Sequence, residues 1–280
     1  MVENTSSKGL LDWLGIPVLA VAAHYRNGLM DCCDVYICGV YIQLDNSLKV
    51  YFPNGHQLQV GDRLTIHLDN RSGVSDYDAS LSVYRTSYKG WVSETGEFVV
   101  YVVPVEYQLF YGMDIPLQYA QANYQFPDDV RKEVSLPISE LTDVPVFDMC
   151  EQENKIGVLV THAMKQPHTT VLAFLSSQND DIFFITLPET FKSKLLKRHP
   201  FCFFAIDSRA VFTYTRAIEW NYSLIAATTY QIPKDHHLFK PIQAAFIEKN
   251  PWEVGFFSHP EIEMYHLKAD HVVCPGHGPD

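Results

Sequence analysis

Between Ile156 and Asp207 the chain reads IGVLVTH, MKQP, HTTVLAFL, SSQNDD, IFFIT, LPETFKSKLLKRHP and FCFFAID. Three short runs rich in β-branched and aromatic residues, each closed by a polar or proline-containing turn, lead into one helix and then a fourth strand. The helix follows directly on a strand and carries Thr190, Lys192, Lys194, Lys197 and Arg198. Such a corner gathers hydroxyls, backbone N–H groups and ammonium charge at one point, which suits a phosphate. Residues before 150 read as an addition to this unit and residues after 207 as its completion.

Charge supports that placement. The first 150 residues carry 9 basic and 19 acidic side chains, whereas residues 151–280 carry 12 and 14. The near-neutral half, with cations gathered at 192–198, is the better home for an anionic ligand. Neither half has the basic footprint that nucleic acid requires. No apolar run reaches the length of a membrane span. The run Leu14–Ala23 ends in AVAA, but the segment before it holds Glu3, Asp12 and a single Lys8, the wrong charge for export, so it reads as a first strand. The six cysteines show no CxxC spacing, and a disulfide framework is unusual in 280 residues, which places the protein in a reducing, cytoplasmic compartment. Neither HExxH nor a Cys/His zinc spacing occurs, so no metal site is expected.

From residue 18 to 111 strand-like runs alternate with turn signals such as RNG, DN, PNG and ETG. The runs are 18–25, 34–44, 47–52, 62–69, 76–88 and 97–111, a spacing that suggests an antiparallel barrel or sandwich of six strands. Residues 116–141, punctuated by Pro116, Pro127 and Pro137, have the composition of a linker. A helix is expected next, capped by Thr142 or Asp143, with Pro145 in its first turn and Val146, Met149 and Cys150 at helical spacing. Beyond Asp207, residues 211–232 read as two paired strands or one bent one, HHLFKPIQAAFIEKN as a helix, and Glu261–Val273 as a closing strand. No internal repeat is visible. The chain is therefore expected to be mainly β: an N-terminal antiparallel β-barrel or sandwich (1–115), a linker (116–141) and a C-terminal split β-barrel (142–280).

The order helix, GVLVTH, PHTTVLAF, IFFIT, LPETFKSKLLKRHP, FCFFAI and NYSLIAATTY resembles the pyridoxamine 5′-phosphate oxidase-like, FMN-binding split-barrel superfamily over Thr142–Val273, a little under half the chain. Thr186, Thr190, Lys192 and His199-Pro200 stand where that family has its strand-ending Thr, its Ser/Thr-x-Lys corner and the Pro before the next strand. The resemblance implies FMN as cofactor, with haem as a lesser alternative. On that basis His168, Thr169, Thr170 and Val171 face the flavin ring, Thr186, Thr190 and Lys192 hold the phosphate, and Tyr222 and Ser223 lie near the cofactor. It also implies a homodimer through the C-terminal domain, with Trp220 and Trp252 as aromatic lids. Ala226-Ala227 stands where the family has a Gly, and the Arg/His signature that grips pyridoxal is absent, so vitamin B6 is not the expected substrate. The implied function is an FMN-dependent oxidoreductase acting on a small molecule; the alternative is a cofactor-binding, sensory or interaction protein on the same scaffold. No catalytic side chain is singled out, since a flavin carries its own redox chemistry.

Overall fold

The computed structural model describes residues 8–15, 18–70, 82–124, 126, 129–149, 156–179, 181–207 and 222–273. The expected strand residues 76–81 and 211–221 (with Trp220), together with Cys150, Cys274 and the tail, lie outside them.

The first half comprises a short helix α1 (Leu10–Leu14) and strands β1 (Val18–Tyr25), β2 (Cys33–Ile42), β3 (Leu48–Tyr51), β4 (Arg63–Asp69), β5 (Tyr84–Thr95), β6 (Val99–Tyr111) and β7 (Asp114–Ala120). The strands pair antiparallel in the order β3-β2-β1-β4-β5-β6, and β6 pairs again with β3, so six strands close into a barrel while β7 extends from β6. Local chemistry fixes the turns. Between β2 and β3 Asn46 takes a left-handed φ of 62°, and Asp45 accepts hydrogen bonds from the Ser47 amide at 3.0 Å and hydroxyl at 2.6 Å. Pro104, which cannot donate to a ladder, sits where the β5–β6 register shifts beside Lys89 and Gly90.

The period-2 alternation of strands sorts the side chains. Val18, Ala20, Ala22, Val40, Leu64, Ile66, Tyr88 and Val102 fill the barrel. The intervening residues of β1, Leu19, Val21 and Ala23, point out and yet are also buried. They pack, with Val35 and Ile37 of β2, on the second half. A strand covered on both faces needs apolar residues at every position, which explains why VLAVAAHY does not alternate.

The second half contains β8 (Ile156–Thr161), β9 (His168–Ala173), β10 (Leu175–Ser176), β11 (Ile182–Thr186), α2 (Phe191–Arg198), β12 (Phe201–Asp207), β13 (Tyr222–Ile232), α3 (Phe239–Lys249), α4 (Val254–Phe257) and β14 (Glu263–Val272). Its sheet runs β10-β11-β14-β13-β12-β8-β9. The two edges, β9 and β10, are successive pieces of one run separated only by Phe174, so the sheet curls into a half-barrel. Leu159, Leu172, Phe184, Leu196, Phe204, Ile225 and Tyr265 form its core. Its outer face meets the first half through Val158, Val160, Phe203, Ala205, Leu224 and Ala226. The mainly-β class, a closed barrel followed by a curled split barrel, is the one expected.

Two stretches differ from expectation: residues 116–120, expected as linker, belong to β7 and pair with β6, and the helix expected from residue 142 is absent. Residues 142–149 form no helix; they lie extended along the second sheet, where the Asp148 amide donates to Ser176 O at 2.8 Å and Gln178 N to Val146 O at 2.9 Å. Phe147 and Met149, two residues apart, both pack on the cluster around Phe183 and Phe246. That spacing suits an extended chain, and β-branched Val144 and Val146 weaken the helical alternative. Among the described residues no helix is long and apolar enough to cross a membrane.

Candidate functional site

Where β4, β5 and β6 of the barrel face the second half, alternation gives their outward side a polar character. Thr65 and His67, Arg85, Ser87 and Lys89, and Glu106 and Gln108 point away from the barrel core. Opposite them stand β9 and the start of α2. Together they enclose a cleft of about 460 Å³ lined by His67, Arg85, Ser87, Lys89 and Glu106 on one side and His168–Val171, Thr190, Phe191 and Lys192 on the other. Polar bonds pin its two walls. Ser87 and Thr169 hydroxyls meet at 2.8 Å, Thr65 Oγ1 donates to Pro167 O at 2.8 Å, and Gln166 Nε2 donates to Thr65 Oγ1 at 2.9 Å.

The strand-to-helix corner forms as expected, with a division of labour. Thr190 is the N-cap of α2: its Oγ1 donates to Leu187 O at 2.8 Å, meets Thr186 Oγ1 at 3.0 Å and accepts from the Ser193 amide at 3.4 Å. Both hydroxyls are thus engaged in shaping the corner. Lys192, one residue into the first turn, is the group they present to the cleft. Burial, and then the neighbouring charge of Arg85, pull its pKa down to about 8, against a smaller opposing effect of Glu253. Lys194 does not line the cleft, and Lys197 bonds Glu263 at 2.7 Å while Arg198 bonds Glu133 at 3.1 Å. These later cations complement the C-terminal end of the helix dipole.

Three buried polar atoms at the cleft lack a hydrogen-bond partner: both ring nitrogens of His67 and Nδ1 of His168. Buried polar atoms of this kind need a partner, and a polar ligand in the cleft could supply one. His168 Nε2 lies 3.1 Å from Thr170 Oγ1, and its ring is flanked by Phe191 at 5.0 Å and Phe126 at 5.6 Å. Burial, with the charges of Lys89 and Lys192 behind it, holds His168 well below the usual histidine range, so it is neutral. Lys89 is committed: its Nζ is 3.4 Å from Glu106, 3.2 Å from Ser87 O and 4.4 Å from the centre of the Phe126 ring.

Of the expected site residues, the structure brings His168, Thr169, Thr170, Val171, Thr190 and Lys192 together in this cleft, with Thr186 buried behind the corner. Tyr222 and Ser223 open β13 opposite Asp207 and Ile206, and the next residue, Leu224, lines a different cleft on the other side of the joint. Their side chains, and that of Trp252, lie outside the description. The residues that sequence reasoning missed are those of the first half: His67, Arg85, Lys89 and Glu106. Their signal was present as alternating polar positions on strands, in YRTSYK and in VEYQLF, but nothing local tells which surface such a face meets.

No family model and no curated protein matches the chain. Solved structures do match part of it. HutZ, the haem storage protein of Vibrio cholerae, is 17% identical with a TM-score of 0.36, over 43% of this chain and 85% of that one. A haem binding protein from Mycobacterium smegmatis is 12% identical with a TM-score of 0.37, over 43% of this chain and 48% of that one. An FAD-binding protein from Mesorhizobium loti is 13% identical with a TM-score of 0.34, over 42% of this chain and 82% of that one.

Proposed function

We propose that the cleft between the halves binds FMN, with the phosphate at the Lys192 corner and the ring along His168–Val171, and that the protein is a flavin-dependent oxidoreductase acting on a small molecule. Lys192 carries the reading. A cation in the first turn opposes the helix dipole, and here it is also half-buried and near Arg85; an anion relieves all three penalties. The residues fit the group. The ammonium can make charge-assisted bonds, the N-terminal amides of α2 add donors, and the unpartnered ring nitrogens at the cleft supply further polar contacts. When bound, the flavin supplies the hydride or electron chemistry; the chain orients it and limits solvent access. The free thiols of Cys32, Cys33, Cys38 and Cys202 support a reducing, cytoplasmic setting.

One observation favours a second reading, haem. His67 is buried and His168 half-buried in the cleft, and His168 is held neutral, the state in which an imidazole ligates iron. The absorption spectrum of the purified protein separates the two.

The test of the FMN reading is a fluorescence titration of wild type and Lys192→Met with FMN and with riboflavin, which lacks the phosphate. The substitution keeps the stem and removes the charge, so FMN affinity should fall about ten- to a hundredfold while riboflavin affinity holds. Lys192 in the free protein is protonated below pH 8 and loses its charge as pH rises through that value, so FMN binding to wild type should weaken between pH 7 and 9. Equal loss of both ligands would make Lys192 structural; no binding of either to wild type would refute the flavin reading.

A further inference from the structure

The two halves share one connectivity. In the first, ladders join β1–β2–β3–β6–β5–β4 and back to β1. In the second, the ladders β8–β9, β10–β11, β11–β14, β14–β13, β13–β12 and β12–β8 trace the same ring, once β9 and β10 are taken as one bent strand. Strand for strand, β1 corresponds to β8, β2 to β9/β10, β3 to β11, β4 to β12, β5 to β13 and β6 to β14. Every pairing in both rings is antiparallel.

The halves also meet as two copies of one fold related by a two-fold axis would. The cleft at Lys192 is built from the second strand of the second ring, the segment after its third strand, and strands four to six of the first ring. Exchanging the halves predicts a counterpart built from β2, the segment after β3, and β12 to β14. A cleft of about 290 Å³ stands there. It is lined by Cys33–Ile37 of β2, by Phe52–Gly55 and Gln57 after β3, by Phe203 of β12 and Leu224 of β13, and by Val273 next to β14. In an isologous assembly the two clefts would be identical. Here they are not. The segment 52–62 contains no helix, and the smaller cleft offers Asp34 with Arg26 clamped to it at 2.7 and 3.0 Å.

We propose that the first half is a built-in second subunit, and that Arg85 on its β5 is the second anion-binding group of the Lys192 cleft, so that one chain holds one cofactor, in that cleft alone. The inference rests on the FMN reading and assigns to the chain itself what the family resemblance assigns to a second copy. Arg85 lines the cleft opposite Lys192 and lies near enough for its charge to be felt there. Its guanidinium also bonds Gly112 O at 3.3 Å, which holds the side chain near the cleft rim. Two cations lining one cleft, one from each half, form a bipartite anion seat that either half alone would leave incomplete.

The test uses the full-length protein: calorimetric and fluorescence titration of wild type, Arg85→Met, Arg85→Lys and Lys192→Met with FMN and with riboflavin, and sedimentation at the titration concentration. One FMN per chain on a monomer is expected. Arg85→Met should weaken FMN about tenfold and leave riboflavin unchanged, while Arg85→Lys stays within about threefold of wild type. If Arg85→Met binds FMN like wild type while Lys192→Met does not, Arg85 has no part in the seat although the FMN reading stands. If both Arg85 variants lose the two flavins alike, its role is packing and the proposal falls. A stoichiometry of two per chain, or one per two chains, overturns the built-in subunit. Failure of wild type to bind either flavin removes the reading on which it rests.

Discussion

The two clefts on either side of the joint are made of corresponding strands and end in opposite chemistry. At the larger, the chain leaves β11, caps a helix with Thr190 and sets Lys192 in its first turn. At the smaller, it leaves β3, turns through Asn54 and Gly55 (φ 76°) and reaches β4 without a helix. The first arrangement offers oriented amides and a cation. The second offers Asp34, whose carboxyl is driven up by burial but brought below the usual range overall by hydrogen bonds from His24 and Arg26, and which therefore stays anionic. Strand connectivity makes the cleft; on the proposed reading, the connection after the third strand decides whether an anion belongs in it. That separation of fold from site is general, since function resides in groups grafted on a scaffold.

The largest expected effect concerns the joint on which the comparison rests. Ala205 is fully buried between β12 and the first half's Leu19, Val21 and Ala23 face. Ala205→Glu would place a carboxylate there without a partner and should cost roughly 3–5 kcal/mol in urea unfolding of the whole chain. The same change at exposed Ile115 on β7, which belongs to only one half, should stay within about 0.5 kcal/mol. A single cooperative transition shifted by Ala205→Glu is expected. Two transitions, only the later one shifted, would mean that the halves fold separately and that the joint is a docking contact.

How much of this was legible in the chain depends on how local the cause is. The corner at 186–198 was readable because capping, helix dipole and strand ending are all set within a dozen residues. The barrel strands were readable from turn chemistry such as Asp45-Asn46. The segment 142–149 was misread because Pro145 and a capping residue suit a helix start, while the alternation of Phe147 and Met149 that decides the matter needs the second sheet to pack against. The first half's share of the cleft was not readable at all, and the joint hardly. Arg85, Ser87 and Lys89 are an ordinary polar strand face until β9 is placed opposite. The repeat was hidden for the same reason: LKVY of β3 and IFFIT of β11 share a place in the ring and almost no residues, so only the ladders show it. VLAVAAHY was the one hint that the barrel is covered on its outside.

The second effect probes the joint through pH. His162 is buried at the boundary, stacked on Tyr25 at 6.0 Å, with Nδ1 3.0 Å from Phe201 O. Tyr25 itself crosses the joint, its hydroxyl donating to Ala163 O at 2.7 Å. Burial first, and the charge of His199 second, lower the His162 pKa to about 4. An unfolded histidine titrates near 6.5, so between 6.5 and 4 the unfolded chain holds a proton that the folded chain lacks. Stability therefore falls as pH falls through that window, by up to about 3 kcal/mol, and His162 contributes no further loss below it. Unfolding midpoints measured from pH 7 to 4 should show the slope, and His162→Phe, which keeps a ring against Tyr25, should flatten it. An unchanged slope would place the acid-sensitive group elsewhere and leave the joint indifferent to protonation.

The smallest expected effect is the sharpest for the two clefts. If charge alone distinguished them, a lysine in the smaller one would create a second anion site. Gln57 is the position to use, since it is exposed, lines that cleft and contributes its amide, not its side chain, to the bond with Tyr36 Oη at 3.3 Å. Gln57→Lys should change stability by less than about 0.5 kcal/mol. It should also leave the stoichiometry of FMN at one per chain. The reasons lie in the surroundings. No helix points its first-turn amides at this lysine, no capping hydroxyl fixes its approach, and the Asp34 carboxylate with Arg26 across it repels a phosphate and competes for the new ammonium. Calorimetric titration of Gln57→Lys with FMN at low salt gives the electrostatic term its best chance. A second equivalent binding under those conditions would show that a cation in a split-barrel cleft suffices, and that the helix at Phe191–Arg198 is not what separates the working cleft from its counterpart.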